Sequence, residues 1–211
     1  ELRNLLALRG EDDLQDYVQG LQRRDIASDQ EWHKLLGLLT VGESYFFRDD
    51  GQIGLLREQV LPELLAQRSQ ERQLRIWSAA CAGGEEAYSL AILVHQLLSA
   101  RGDGASWDVH IVGSDIHQQA LNKARAGLYS AWSFRRVAAE LKQLYFSPHG
   151  EAWKIHPSIA AMVGFQYGNL VEDSFPSMSL PPKHFDLIVC RNVFIYFNAP
   201  TVTRISDKLA A

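Results

Sequence analysis

Residues 75–91, RIWSAACAGGEEAYSLA, narrow the possible folds of this chain more than any other stretch. A short apolar run (Ile76, Trp77) gives way to small residues from Ser78 to Gly84, and Glu85 and Glu86 then open a helix-like segment. Strand, tight turn and helix in that order begin the α/β nucleotide-binding folds. The pattern continues downstream. Strand-like runs at 74–80, 108–114, 163–168 and 185–190 alternate with helical periodicity at 86–100, 117–126 and 199–210, which predicts a parallel sheet. Asn198 is placed to cap the last helix, where Val202, Ile205 and Leu209 give an apolar face.

Upstream of this unit the chain reads as helices. Leu14, Tyr17, Val18 and Leu21 fall on one helical face, with Asp12 and Asp13 at its start and Arg23 and Arg24 at its end. Ser28 and Glu31 have capping-box spacing ahead of a Trp32, Leu35, Leu36, Leu39 stripe. A third helix is predicted from Ile53 to Gln67, with Pro62 expected to kink it. Residues 1–68 are therefore expected to form an N-terminal helical subdomain, joined by a polar linker to a domain spanning 69–211. The segment at about 143–168 is too long for a plain crossover. It predicts a small antiparallel insertion, a hairpin of Tyr145–Ser147 and Ala152–His156 around SPHG followed by a strand from Met162. The chain opens without Met and stops inside a predicted helix, so it is expected to be a fragment.

A net charge of −4 gives no electrostatic reason to expect nucleic acid or an anionic membrane as partner. No apolar run approaches a membrane span and no signal-peptide pattern opens the chain, so neither membrane insertion nor export is expected. Cys81 and Cys190 have no metal-ligand spacing and read as reduced thiols of a cytosolic protein. The seven histidines are scattered, without HxxxH, so no metal is expected.

The two carboxylates at the start of the first sheet helix decide the ligand class. Acids suit a helix N-terminus through its dipole, but they repel the pyrophosphate that such a terminus otherwise receives. ACAGGEEA also lacks G-x-G-x-x-G and the Walker lysine, so NAD, FAD and ATP fit badly. A nucleoside that is cationic at its far end fits well. S-adenosylmethionine is such a ligand, and one charge-assisted hydrogen bond from its ammonium to a glutamate contributes roughly 1.5–3 kcal/mol. Asp115, about thirty residues on at the end of the next strand, supplies the acid for both ribose hydroxyls. Taken singly, each acid reads equally as a favourable first helical turn or a strand-end cap. As an ordered set they favour the cofactor.

The stretches TVGESYFFRD, WSAACAGGEEAYSLA, GSDI, ALNKARAGLYS, YGNL and CRNVFIYF resemble, in order and spacing, the chemotaxis-receptor (CheR-type) protein-glutamate methyltransferases over about residues 30–205. The resemblance implies a Rossmann-like S-adenosylmethionine-dependent methyltransferase sheet, capped by N-terminal helices and decorated by a small antiparallel β insertion, with the last sheet strands beyond Ala211. It further implies that Gly42, Ser44 and Arg48 belong to a segment closing over the cofactor. Gly42 stands where the family has an asparagine, a change expected to remove one hydrogen bond. Glu86, rather than Glu85, would hold the ammonium and Asp115 the ribose. Asn169 and Leu170 would line the adenine, Arg191 and Asn192 would sit beside the methionine part, and Tyr196 would lie near the transferring methyl group. Each residue also has an ordinary reading. Arg48 could pair with Asp49 or Asp50, Arg191 could be a strand-end charge, and Tyr196 and Phe197 could be core aromatics; Phe46 and Phe47 are expected to be packing residues.

The implied reaction is methylation of glutamate side chains on a methyl-accepting chemoreceptor-type protein, with S-adenosylhomocysteine as product. Arg48 and Tyr196 are the expected catalytic pair, orienting an acceptor carboxylate that needs no base. The N-terminal helices would face the receptor's cytoplasmic helices, with Arg9, Arg23, Arg24 and Lys34 as candidate contacts. In some family members the insertion docks a receptor tail as an added strand. Two alternatives stay open on the residues alone, namely a same-fold methyltransferase acting on another protein or a small molecule, and a non-catalytic cofactor-binding module.

Overall fold

The computed structural model describes residues 11–23, 25, 31–32, 34–35, 43–171 and 185–210. Helix α1 (Glu11–Leu21) ends before Arg23, which is exposed. Of its predicted stripe, Leu21 is buried, Val18 is exposed and Tyr17 donates to Glu31 Oε1 at 3.0 Å. Trp32 Nε1 donates to the carbonyl of Leu21 at 3.0 Å, tying the next helical turn back to α1. Lys34 pairs with Glu31 at 2.9 Å. Arg9, Arg24, Ser28, Leu36, Leu39 and Gly42 lie outside the described residues.

The third predicted helix begins earlier than its periodicity suggested, because Asp49 caps it by accepting from the Gln52 amide at 3.3 Å. It runs as α2 (Asp50–Leu55), a π-helical turn (Leu56–Val60) and α3 (Leu61–Gln67). Pro62 does not break it. The ring stands at the start of α3, and the Leu61 amide reaches back to the Leu56 carbonyl, so the loosened turn absorbs the missing N–H.

Strands β1 (Gln73–Ala79) and β2 (Asp108–Asp115) pair in parallel across the buried helix α4 (Glu85–Arg101). After β2, α5 (Gln118–Ala126) returns the chain along the sheet. The two-residue strand β3 (Leu128–Tyr129), α6 (Ala139–Tyr145), β4 (Phe146–His149) and β5 (Ala152–Ile155) then form a separate antiparallel sheet in the order β3-β5-β4. A helical turn α7 (Pro157–Ala160) leads to β6 (Val163–Tyr167), and β7 (Leu187–Cys190) precedes α8 (Ala199–Ala210). The central sheet is parallel, in the order β6-β2-β1-β7.

Two expectations need correction. The insertion ends before β6, since Val163 to Tyr167 pair with Ile111 to Asp115 in the central sheet. Its third strand is instead β3, too short to display a period-two pattern. The strand predicted from 185 starts at Leu187; Asp186, just before it, still lies against β1, donating its amide to the Arg75 carbonyl at 2.8 Å, while its Oδ2 accepts the Arg75 amide at 2.8 Å and its Oδ1 pairs with Arg68 at 2.6 Å.

One apolar core joins these layers. It includes Phe46, Ile53, Leu61 and Leu65 from the segment before the sheet, Ile76 and Ile111 from the sheet, Tyr88 and Leu90 to Val94 from α4, and Phe146 and Ile155 from the antiparallel part. Phe46 is fully buried, 4.8 Å from the Tyr129 ring, 5.1 Å from Phe134 and 4.8 Å from Phe146. Phe46 and Phe47 thus pack as expected.

Candidate functional site

The strand order reverses between β1 and β7. The chain leaves β1 toward β2 on one side and reaches β7 on the other, so the carboxyl ends of these two strands open a crevice, the usual ligand position in an open α/β sheet. A cavity of about 510 Å³ lies there, well sized for a nucleoside-type ligand. Its walls come from the loop after β1 (Ala80, Cys81, Ala82), the end of β2 (Asp115, Ile116, His117), the stretch after β6 (Gly168 to Val171), the loop after β7 (Arg191 to Val193) and residues 43–45 with Arg48.

The backbone around it is unusually left-handed. Ala80 (φ 60°), Ala82 (φ 48°), Asn192 (φ 57°), Phe47 (φ 56°) and Asp49 (φ 69°) all occupy the region that non-glycine residues avoid. Such residues cost about 1–3 kcal/mol each and persist only where the surrounding fold enforces them. Here they bend three loops around one crevice.

The two glutamates part company. Glu85 is almost fully buried, 2.6 Å from Lys123 Nζ and 3.2 Å from Ser133 Oγ, and does not line the cavity. Glu86 does line it. Its Oε1 accepts from the Ser78 hydroxyl at 2.7 Å and its Oε2 lies 3.3 Å from Arg191 Nη1. Burial pushes this carboxyl up to about 7, against the opposing pull of the Ser78 hydrogen bond, Arg191 and Arg48. Asp115 is held from both sides: Oδ2 accepts the Ala82 amide and Oδ1 the His117 amide, each at 2.8 Å. Burial raises it as well, partly offset by these amides.

Arg191 is the tie across the crevice. Besides Glu86, it donates to the Gln52 side chain and to the carbonyl of Arg48, linking the loop after β7 to α2 and to the segment before it. Arg48 itself donates to the Glu43 carbonyl at 2.7 Å, closing a small loop over the cavity. Tyr196 and Ile195 stand exposed at the mouth, and Tyr196 is no core aromatic. Cys81 is buried and Cys190 half-buried; burial pushes the Cys81 thiol well above its ordinary value and Cys190 up to about 12, which disfavours a thiolate at either position. Among the described residues, no group of three or more His, Cys, Asp or Glu could hold a metal, and no helix is long and apolar enough to cross a membrane.

Over residues 42–211 the sequence matches the family described as CheR methyltransferase, SAM binding domain. This chain belongs to the CheR methyltransferase family. Curated relatives agree. The chain is 29% identical over 210 residues to a chemotaxis protein methyltransferase of Borreliella burgdorferi, covering 98% of this chain and 71% of that one. It is 37% identical over 163 residues to chemotaxis protein methyltransferase 1 of Pseudomonas aeruginosa, covering 76% and 57%. With chemotaxis protein methyltransferase Cher2 of Pseudomonas putida it shares 31% over 200 residues, covering 94% and 70%. The chain thus spans between 57% and 71% of the length of these relatives.

The cofactor of a CheR methyltransferase domain is S-adenosylmethionine, and the donor set fits it. The cavity offers a largely buried carboxylate (Glu86), a second carboxylate with its backbone bonds already made (Asp115), and apolar surface from Ile116, Leu170 and Val171. Among the described residues no lysine lines it, the Arg191 guanidinium is already engaged by Glu86, and acids occupy the first turn of α4, where a phosphate would otherwise be received. Of the residues named from sequence, Ser44, Arg48, Glu86, Asp115, Asn169, Leu170, Arg191, Asn192 and Tyr196 all line this cavity, and Gly42 lies outside the described residues. Sequence reasoning missed Ser78, Gln52 and Tyr45. Ser78 sits at the end of β1, where a strand-end hydroxyl facing the following helix could have been flagged; nothing in the sequence marks Gln52.

Proposed function

We propose that this CheR-family chain methylates glutamate side chains of chemoreceptor-type signalling proteins, giving methyl esters. The observation that carries the reading is the cavity built on the carboxylates Glu86 and Asp115, at a helix start occupied by acids, with the exposed Tyr196 at its mouth. The names of the relatives, chemotaxis protein methyltransferases, supply the acceptor class.

When bound, S-adenosylmethionine supplies a methyl group on a positively charged sulfur. Glu86 holds the ammonium of the methionine part, and Asp115 takes the ribose hydroxyls with the lone pairs its backbone bonds leave free. Asn169 and Leu170 flank the adenine, while Arg191, Asn192 and Ser44 complete the wall around the methionine part. An acceptor glutamate, with a reference pKa of about 4.3, arrives ionised at neutral pH and no residue has to remove a proton. What remains is alignment and removal of water. Arg48, beside the cavity and close enough to pull on the Glu86 charge, orients the acceptor carboxylate. The Tyr196 hydroxyl at the rim positions it. The helical surface with Arg23 and Lys34, and the open antiparallel sheet, are the faces offered to a receptor's helices and tail.

The test is labelled-methyl transfer from S-adenosylmethionine to receptor-enriched membranes by the intact protein. Base-labile label on membrane protein is expected, and Tyr196→Phe should lower turnover while leaving S-adenosylhomocysteine affinity nearly unchanged. Label only on a soluble acceptor would move the assignment to another substrate; binding without transfer would make the chain a cofactor-binding module.

A further inference from the structure

Phe46 and Phe47 are pinned by the core and by two hydrogen bonds, Phe46 N to the Ser133 carbonyl and Phe47 N to Ser89 Oγ, each 3.0 Å. The residues just before them, Glu43 to Tyr45, form a wall of the cavity yet are not buried. Arg135, which follows the 3₁₀ turn Ala131–Phe134 and does not line the cavity, grips both ends of that wall. Its guanidinium carbon lies 3.7 Å from the centre of the Tyr45 ring and 4.3 Å from that of Trp132, a sandwich of the cation between two aromatic rings. Nη2 pairs with Glu43 Oε1 at 2.8 Å, and Nη1 donates to the Trp132 carbonyl at 3.0 Å, which fixes the plane of the group. Glu43 is also the residue whose carbonyl accepts from Arg48. The half-exposed ion pair alone contributes little; the stack on Tyr45 is the stronger hold. Trp132 is itself 64% exposed, and its contact with Arg135 is made at the surface.

We propose that Arg135 is a positioning residue for the methyltransferase site, holding the Glu43–Tyr45 wall, and through Glu43 the Arg48 side chain, in the cofactor-binding arrangement. The inference rests on the cavity being the S-adenosylmethionine site. In the intact protein, Arg135→Ala should weaken S-adenosylhomocysteine binding about tenfold by calorimetry, one stack and one partly exposed pair together. Arg135→Lys, which keeps a charge but not the planar group, should recover only part of that loss. Tyr45→Leu removes the same stack and should also weaken binding, and the double variant should lose clearly less than the sum of the two single losses, because the Arg135–Tyr45 contact is counted in both. In the ligand-free protein, hydrogen exchange at the amides of 43–45 should quicken in Arg135→Ala while amides of β1 and β2 keep their protection.

Wild-type affinity in Arg135→Ala, additive losses in the double variant, or unchanged exchange at 43–45 would each overturn the proposal. A wild-type protein that does not bind S-adenosylhomocysteine would instead overturn the assignment of the site. Loss of protection throughout the sheet would reduce Arg135 to a general stabilising residue and overturn its positioning role.

Discussion

Adjacent glutamates at one helix start do opposite jobs in this protein. Gly84, left-handed at φ 85°, sets the phase at which α4 begins, so Glu85 turns inward to Lys123 and Ser133 while Glu86 faces the crevice. The chemistry of the pair was legible in sequence, because two acids at that turn exclude a phosphate. The geometric basis for choosing Glu86 over Glu85 was not legible, since it depends on a backbone angle. Glu86→Gln should therefore weaken S-adenosylhomocysteine binding by roughly 10- to 100-fold, the loss of one charge-assisted hydrogen bond. Glu85→Gln should leave affinity nearly intact but lower stability by roughly 1–3 kcal/mol, by weakening a buried charge-assisted pair. The pH dependence separates them further. In the ligand-free protein the Glu86 carboxyl is raised from 4.5 to about 7, so the folded state holds its proton more tightly than the unfolded one. Its contribution to stability is full below about 4.5 and is lost as pH rises to about 7. On the role proposed for Glu86, ligand binding has the opposite sign, because an ammonium partner needs the ionised form. Affinity should rise by up to about tenfold per pH unit below 7 and level off above, and Glu86→Gln should flatten that slope in calorimetric titrations.

The elements that announced themselves are those with long periodicity. β1, β2, α4, α5 and α8 lie within one or two residues of their predicted bounds, because a buried strand and an amphipathic or buried helix each impose a repeat on the sequence. The elements that did not are those decided by contacts. β3 is two residues long and exists by pairing with β5; β6 was legible as a strand, but only its pairing with β2 separates it from the insertion whose expected range also took it in; Pro62 was absorbed by a π-helical turn. The turn between β1 and α4 combines both cases. Its small residues were visible, but the reason for them is distance: a Cβ on Gly84 would stand 2.7 Å from Ala124 Cβ and 2.9 Å from the Phe165 ring. Gly84→Ala should cost roughly 2–4 kcal/mol, left-handed strain plus a contact between α4, α5 and β6 that cannot relax freely. Gly102→Ala offers the internal control. Its φ is 74° with nothing within 4 Å, so only the strain of about 1–2 kcal/mol applies. Urea unfolding of the two variants should show that difference, and equal losses would mean the close approach at Gly84 carries no energy.

At the scale of the whole molecule, the boundary expected near residue 68 does not divide the core. Phe46, Ile53, Leu61 and Leu65 belong to the same apolar cluster as the sheet and the antiparallel part, and the family match likewise begins at residue 42. The antiparallel sheet is fastened to the cavity loop as well as to the core, since the Tyr129 hydroxyl donates to the Gly83 carbonyl at 2.8 Å in a fully buried position. Parts that share one core should open together, even where only some of them touch a ligand. No residue of β4 or β5 lines the cavity. Even so, S-adenosylhomocysteine at 100 times its dissociation constant, which adds about 2.7 kcal/mol, should slow the slowest-exchanging amides of β4 and β5 by about 100-fold. Those of β1 and α4 should slow equally. Hydrogen exchange of the intact protein with and without ligand makes the measurement. If β4 and β5 kept their ligand-free rates while β1 slowed, the antiparallel sheet would open on its own, and the aromatic cluster around Phe46 would not couple it to the site.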